Sequence, residues 1–466
     1  MQSFPKIEIE NWRLVVLRPN TRELLLIEGE RGTSLPRVET PKGSRVAREL
    51  TERVRAEWNL EVFSLRELAP TEPYRRDGAR SFAVETIHAN ADAPENGHWS
   101  DFSDIAMCQL IEEDRAAVET WLRQAAEVHS NGVRQRIGDP GTFARIRAWV
   151  QQVLANSGRT LGTEFQQINA AQDFSLVRFA TDRGAVWFKA VGEPNVREFS
   201  LTVTLADLFP ELTPAILATE PLWNAWLAPE IPGCRLSQRG DLAAWSRAAR
   251  DLASLQVASS EKTGAILRCA AHDLRCFVVQ GSIRSFFARL AQFMMRQSLS
   301  QPAPLSRAEL ADLEGAVRRT LCDLQAEGWP DTLVHVDLNP DNLIALPNGT
   351  VFLDWAEAGV GHPFLSLAFL LEYFRWHFPD EVPAPLIKAY ADVWQTKHCF
   401  ENVERTLCRA ALVAILAHAV STDAWQEGSP LNTPRMEGYY RSLARRMKSY
   451  ADRIEEGAAT VGDLWN

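Results

Sequence analysis

The stretch LVHVDLNPDNLIALPNGTVFLDW, residues 333–355, constrains this chain more than any other. Its apolar start, LVHV, reads as a buried strand that ends at a polar loop. The loop spaces His335, Asp337 and Asn342 as H-x-D-x-x-x-x-N, and Asp354 follows twelve positions after Asn342 in a second apolar run. Asn348-Gly349 in LPNG is a hairpin signal, so LIAL should fold back on TVFLDW and bring Asn342 beside Asp354. A carboxylate at 337 can then accept or orient a hydroxyl proton, while the amide oxygen of Asn342 and the carboxylate of Asp354 converge on one divalent ion. Oxygen ligands of this kind, completed by phosphate and water, suit Mg²⁺ and not zinc. No HExxH or Cys/His cluster competes elsewhere.

Length and charge narrow the rest. A chain of 466 residues exceeds what one core usually serves, so two domains are expected. A formal charge of -10 disfavours nucleic-acid and anionic-membrane partners, which need a basic surface, and permits a cationic one. The seven cysteines (Cys108, Cys234, Cys269, Cys276, Cys322, Cys399 and Cys408) form no CxxC pair and point to a reducing compartment. MQSFPKIEIENWRLVV lacks the basic and apolar regions of a leader, and no apolar run approaches the roughly 20 residues of a membrane helix. The expected location is the cytoplasm.

Along the chain, WRLVVLRPNTRELLLIEGE predicts a β-hairpin, and Ser44 to Glu57 predicts a helix with Val46, Leu50 and Val54 on one face. Strand-like LEVFSL and RSFAVETIHA and the helical EEDRAAVETWLRQAAEVH complete a small α/β domain over 1–135. The polar SNGVRQRIGDP, from about Ser130 to Pro140, reads as a linker, and 136–155 is taken as linker and leading helix, the helix starting in TFARIRAWVQQVLANSG. Next come a hairpin turning at Asp182-Arg183-Gly184, a helix in VREFSLTVTLADLF and a strand pair in AILATEPLWNAWLAPEIPG. Helical periodicity dominates from Leu242. Lysine is scarce, seven in all, yet Lys189 sits inside the apolar AVWFKAV, where an unpaired buried ammonium would cost several kcal/mol. It needs an anion.

These motifs resemble the aminoglycoside phosphotransferase and choline kinase family, which shares its fold with protein kinases, over roughly residues 155 to 466. The resemblance implies an α+β, bilobed protein-kinase-like fold, with a small β-rich N-lobe and hinge over 156–233 and a large helical C-lobe over 234–466. It implies Asp337 as catalytic base or hydroxyl orienter, His335 as the brace of its loop, and Asn342 and Asp354 as metal ligands. It also implies that Lys189 touches the α- and β-phosphates and pairs with Glu198, Glu193 being a second candidate. In WLAPEIPG, the backbone from Ala228 to Ile231 would meet the adenine edge. Asp354-Trp355, where protein kinases have Asp-Phe-Gly, points to the small-molecule branch, with ATP or GTP and Mg²⁺ as cofactors. The chain departs from the family at His362 and Ser366, where an Asp is common, and in QQINAAQDFSLVRF, where no glycine occurs between Glu164 and Arg183. Asn169 and Ser175 are the candidate phosphate donors there.

The first domain resembles a Nudix domain in layout. The family's box would fall on Glu52 to Leu60, leaving Glu57 as its one metal-binding acid, so hydrolysis should be lost while ligand or partner binding is kept. The resulting expectation is transfer of a γ-phosphoryl group to a hydroxyl of a small molecule, a cationic acceptor being compatible. A non-catalytic pseudokinase scaffold and a Nudix-type pyrophosphohydrolase with a kinase-like appendage are the alternatives. Neither the acceptor nor the oligomeric state follows from the sequence.

Overall fold

The computed structural model describes residues 8–29, 32–68, 79–105, 110–130, 136–396 and 403–465, so Cys108 and Cys399 lie outside the described residues. The chain forms two compact units, one from residues 1–199 and 216–230, the other from 200–215 and 231–466.

In the first unit, β1 (Ile9–Leu17) and β2 (Glu23–Gly29) form the expected antiparallel pair, Leu17 opposite Leu24. With β3 (Gly32–Ser34), β4 (Arg37–Pro41), β5 (Val62–Glu67), β6 (Arg80–Thr86) and β7 (Gly97–Asp101) they make a seven-stranded mixed sheet. Its order is β3-β2-β1-β6-β5, with β4 against β1, β7 against β2, and β1 parallel to β6. Helix α1 (Val46–Trp58) buries Leu50 and Val54 of the expected stripe, with Ala47 in place of Val46, which is only half-buried, and it ends at Asn59 in the left-handed region, a position Asn tolerates. Helix α2 (Glu112–Ser130) is anchored by Asp114, which is fully buried and accepts from Arg13 Nε at 2.5 Å and Leu35 N at 2.9 Å.

Helix α3 (Thr142–Asn156) leads into a second, antiparallel sheet in the same unit. Its strands are β8 (Leu161–Ala171), β9 (Phe174–Thr181), β10 (Gly184–Ala190), β11 (Ala218–Glu220) and β12 (Ala225–Pro229), ordered β11-β12-β10-β9-β8. The Asp182-Arg183-Gly184 turn closes β9 on β10, as expected. Both sheets and α3 contribute to one apolar core that includes Val15, Phe63, Phe143, Phe179 and Phe188. Helix α4 (Arg197–Leu208) begins in this unit and continues into the other.

The second unit is mainly helical. In order it contains β13 (Cys234–Arg235), α5 (Leu242–Ser259), α6 (Thr263–Arg268), β14 (His272–Leu274), α7 (Cys276–Met295), α8 (Arg307–Ala326) and β15 (Thr332–His335). There follow β16 (Leu343–Leu346), β17 (Gly349–Phe352), β18 (Ala358–Gly361), α9 (Phe364–His377), α10 (Ala384–Gln395), α11 (Val403–Val420), α12 (Pro434–Glu455) and α13 (Val461–Trp465). Two small sheets, β13-β16-β17 and β14-β18-β15, sit among these helices. The β16–β17 hairpin matches the LPNG signal, with Leu346 opposite Gly349. Strands β14 and β18 were not anticipated from sequence, since three or four residues are too few to display alternation. Among the described residues no helix is long and apolar enough to cross a membrane, and Cys234, Cys269, Cys276, Cys322 and Cys408 are free thiols.

Candidate active site

Strand β15 is buried along its whole length and pairs antiparallel with β18, His335 opposite Ala358, which fixes where the following loop emerges. His335 is 1 % exposed. Its ring Nε2 lies 3.0 Å from the carbonyl oxygen of Leu353, and Asp337 N donates to Nδ1 at 3.3 Å. Burial depresses its pKa, so the ring is neutral, and the two contacts select the tautomer protonated on Nε2. The imidazole thus spans from the loop to the end of the β16–β17 hairpin. Its backbone N–H donates to Ser366 Oγ at 2.8 Å, so Ser366 braces the strand where the family commonly has an acid.

Asn342 closes the loop from the other side. Its Nδ2 donates to the carbonyl oxygen of Asp337 at 3.3 Å, and its own carbonyl accepts from Leu353 N at 2.8 Å. The second bond sets Asp354 one residue beyond the position paired with Asn342. The amide group of Asn342 has therefore committed its nitrogen end, which leaves the oxygen end for a cation. Asp354 is exposed and takes φ 62° and ψ 68°, a left-handed conformation that costs a non-glycine residue about 1–2 kcal/mol. Such strain persists where the surroundings over-determine it. An amide oxygen and a carboxylate form a hard donor pair that fits Mg²⁺ with water and phosphate completing the shell. Among the described residues no group of three or more His, Cys, Asp and Glu side chains could hold a metal ion.

Asp337 is half-buried, and its pKa is pushed up to about 6, first by burial, then by the Glu357 carboxylate, with Asp354 adding and His418 opposing. Glu357 and His418 are functional candidates that the sequence reading missed. His418 Nδ1 lies 3.2 Å from Glu357 Oε2, and its Nε2 lies 2.7 Å from the Tyr439 hydroxyl. Burial works against the charged form of Glu357, yet the imidazole of His418 holds that carboxyl below its ordinary value. Burial likewise works against the imidazolium, and Glu357 with Asp337 raises its pKa all the same. No local pattern announced this cluster, because a single His in the apolar ALVAILAHAV reads as core. Glu372 of α9 is paired with Arg446 of α12.

In the first unit, Lys189 Nζ lies 2.5 Å from Glu198 Oε1, with side chains 15 % and 2 % exposed, so the anion it requires is Glu198 and not Glu193. The ammonium also lies within 6 Å of the Phe174 and Trp226 rings, 5.9 and 5.7 Å from their centroids. Ala228 sits in β12 opposite Trp187 and is buried, and Ile231 follows the crossing between the units. Ser175 is fully buried, which keeps its hydroxyl from solvent and from a phosphate at the surface, and it accepts from Gln167 Nε2 at 3.3 Å. The carboxamide oxygen of Asn169 accepts from Ala170 N at 3.0 Å.

A search among curated proteins returns no match. Similar solved structures include a choline/ethanolamine kinase family protein from Mesorhizobium loti, 14% identical, covering 70% of this chain and 99% of that one with a TM-score of 0.45. A choline kinase from Streptococcus pneumoniae is 11% identical over 66% and 99%, with a TM-score of 0.42. A type I macrolide 2′-phosphotransferase is 15% identical over 64% and 95%, also at 0.42. The family model described as the phosphotransferase enzyme family matches residues 112–403, which is more than half of the chain and contains Lys189, Glu198 and the whole 335–354 segment. On that match, the chain belongs to the phosphotransferase enzyme family.

Proposed function

We propose that the protein transfers the γ-phosphoryl group of ATP or GTP to a hydroxyl of a small molecule. The observation that carries this reading is the loop of β15 itself: a half-buried Asp337 whose backbone is tied to both His335 and Asn342, next to Asp354. In the reaction the acceptor oxygen bonds to the γ-phosphorus as the bridging P–O bond breaks, the nucleoside diphosphate leaves, and the hydroxyl proton moves to Asp337. A pKa of about 6 leaves that carboxylate mostly ionised at neutral pH, as a proton acceptor must be. Lys189, fixed by Glu198, would hold the α- and β-phosphates, and the backbone from Ala228 to Ile231 the adenine edge. Asn342 and Asp354 would hold Mg²⁺, which when bound neutralises charge on the transferring group. Positioning and charge neutralisation supply most of the rate, because the transition state is loose. Replacing Asp337 with Ala should abolish transfer while circular dichroism and the thermal midpoint stay at parent values; parental turnover in that variant would end the assignment.

Residues 156–233 and 234–466 are read as the two lobes of a kinase-like fold, and residues 1–135 as a Nudix-like domain. A mixed sheet combined with helix α1 supports the latter, and Glu57, one acid where the box needs several, argues against hydrolysis there. The glycine-free β8–β9 turn favours a second reading, a scaffold that binds nucleotide without turnover. Mg²⁺-ATP binding with neither ATP hydrolysis nor transfer to any acceptor in a screened library would select it.

A further inference from the structure

The β8–β9 turn, which the family resemblance makes the segment facing the nucleotide phosphates, lacks glycine, but two glycines stand behind it. Gly138 N donates to the carbonyl oxygen of Gln172 at 2.7 Å. A Cβ on Gly138 would lie 2.8 Å from Gln172 Cα, and a Cβ on Gly192 would lie 2.1 Å from Asp173 Cβ. Neither site has room for a methyl group, so the turn is packed between two other backbone segments.

The Gly138 segment is itself anchored to the N-terminal sheet. Asp139 Oδ2 accepts from Arg136 N at 2.7 Å, and Asp139 Oδ1 accepts from Arg66 Nη1 at 2.8 Å. This ion pair is buried, its side chains 2 % and 4 % exposed, and the guanidinium lies 5.1 Å from the centre of the Trp121 ring. A second tie runs in parallel. Gln167 of β8 accepts from Ser64 N at 2.7 Å and donates to Ser64 O at 2.9 Å, joining β8 to β5 through a buried amide. Each partner is inaccessible to water, so loosening the contact would strand a buried polar group.

We infer that the N-terminal sheet is the fixed backing of the phosphate hairpin, with Arg66, Asp139 and Gly138 as positioning residues for the nucleotide. This rests on the reading of the β8–β9 turn as the phosphate-contacting segment. A glycine-rich turn is mobile and loses backbone entropy when it closes on its ligand. A turn clamped from behind has lost that entropy on folding, so its backbone meets the phosphates already ordered. Moving the glycines from the turn to its supports permits close backbone packing without making the turn loose. It also gives the N-terminal sheet a role that needs no chemistry of its own.

The test uses the full chain and Mg²⁺-ATP as the probe, with affinity read by calorimetry. Gly138 is outside the left-handed region, so Gly138→Ala meets no penalty from its own φ and acts through its methyl, which pushes on the backbone of Ala171 and Gln172. The expected result is a Kd for Mg²⁺-ATP raised ten-fold or more at a temperature where circular dichroism shows the variant folded. Gly192→Ala should weaken binding likewise, since its methyl would meet the Cβ and the backbone oxygen of Asp173. Parental affinity in both single variants would overturn the inference and leave the nucleotide reading standing. A parent protein that fails to bind Mg²⁺-ATP would overturn both. Should Gly138→Ala not fold, Gly192→Ala decides alone, parental affinity counting against the inference.

Discussion

His362 is 3 % exposed, between the rings of Trp329 and Phe364 at 6.1 and 5.5 Å, and its Nδ1 accepts from Phe364 N. Burial alone pushes its pKa down to about 3, so the folded protein holds it neutral, whereas the unfolded chain binds a proton below about 6.5. Between those values the unfolded state carries the extra proton, so this residue costs no stability above pH 6.5 and progressively more as pH falls toward 3. Lowering the pH from 7.5 to 5.5 should therefore cost on the order of 1 kcal/mol through His362. His362→Asn retains an acceptor for Phe364 N but cannot titrate, so its thermal midpoint should fall less over that range than the parent's. Equal falls would remove His362 from the acid sensitivity. Asp354 poses a different residue-level question, since its backbone is left-handed and its carboxylate is exposed. Asn tolerates that conformation, so Asp354→Asn should keep the parent's melting behaviour. Replacing the one carboxylate of the proposed ion site with a neutral amide should raise the Mg²⁺ concentration needed for half-maximal turnover on the order of ten-fold, measured by metal titration.

At the scale of elements, what was legible depended on local signals. The β16–β17 hairpin announced itself through Asn348-Gly349 and two apolar runs, and with it came the adjacency of Asn342 and Asp354. Helix α1 was legible through Leu50 and Val54, both fully buried. The His418 and Glu357 pair was not, because it joins α11 to the segment after β17 and neither side signals the other. Helix α3 shows the same limit. Its N-terminus is satisfied by Glu85 of β6, whose carboxylate accepts from Gly141 N at 2.6 Å and Phe143 N at 3.2 Å, and no sequence rule pairs residues so far apart. Glu85 is 1 % exposed, and burial raises its pKa against the pull of those two bonds. Glu85→Ala would leave two helix-terminal N–H groups without their acceptor, at a cost of about 1–3 kcal/mol. A urea midpoint unchanged from the parent's would show that water replaces the carboxylate freely.

For the whole molecule, the polar run near residues 130–140 marks a change in composition, yet apolar contacts cross it. Phe63 of β5 meets Phe143 of α3 at 5.1 Å between ring centroids, and Phe143 meets Phe165 of β8 at 4.5 Å. Residues on both sides of the run belong to one compact unit with one core. Composition reports what a segment is made of, whereas cooperative folding depends on which surfaces it buries, and a linker-like stretch can lie against a shared core. A chain beginning near residue 136 would expose the faces of Phe143 and Phe165 that pack on Phe63 of the N-terminal sheet, and Asp139 would lose Arg66. At about 25 cal/mol per Å² of apolar surface, uncovering several aromatic side chains costs more than the few kcal/mol by which a domain is usually stable. The truncated chain is therefore expected to be aggregated, or to lose near-ultraviolet circular dichroism while keeping its helical signal from the second unit. A soluble truncated protein that melts cooperatively, with parental affinity for Mg²⁺-ATP, would show instead that the β8–β12 sheet needs no support from the sheet before it.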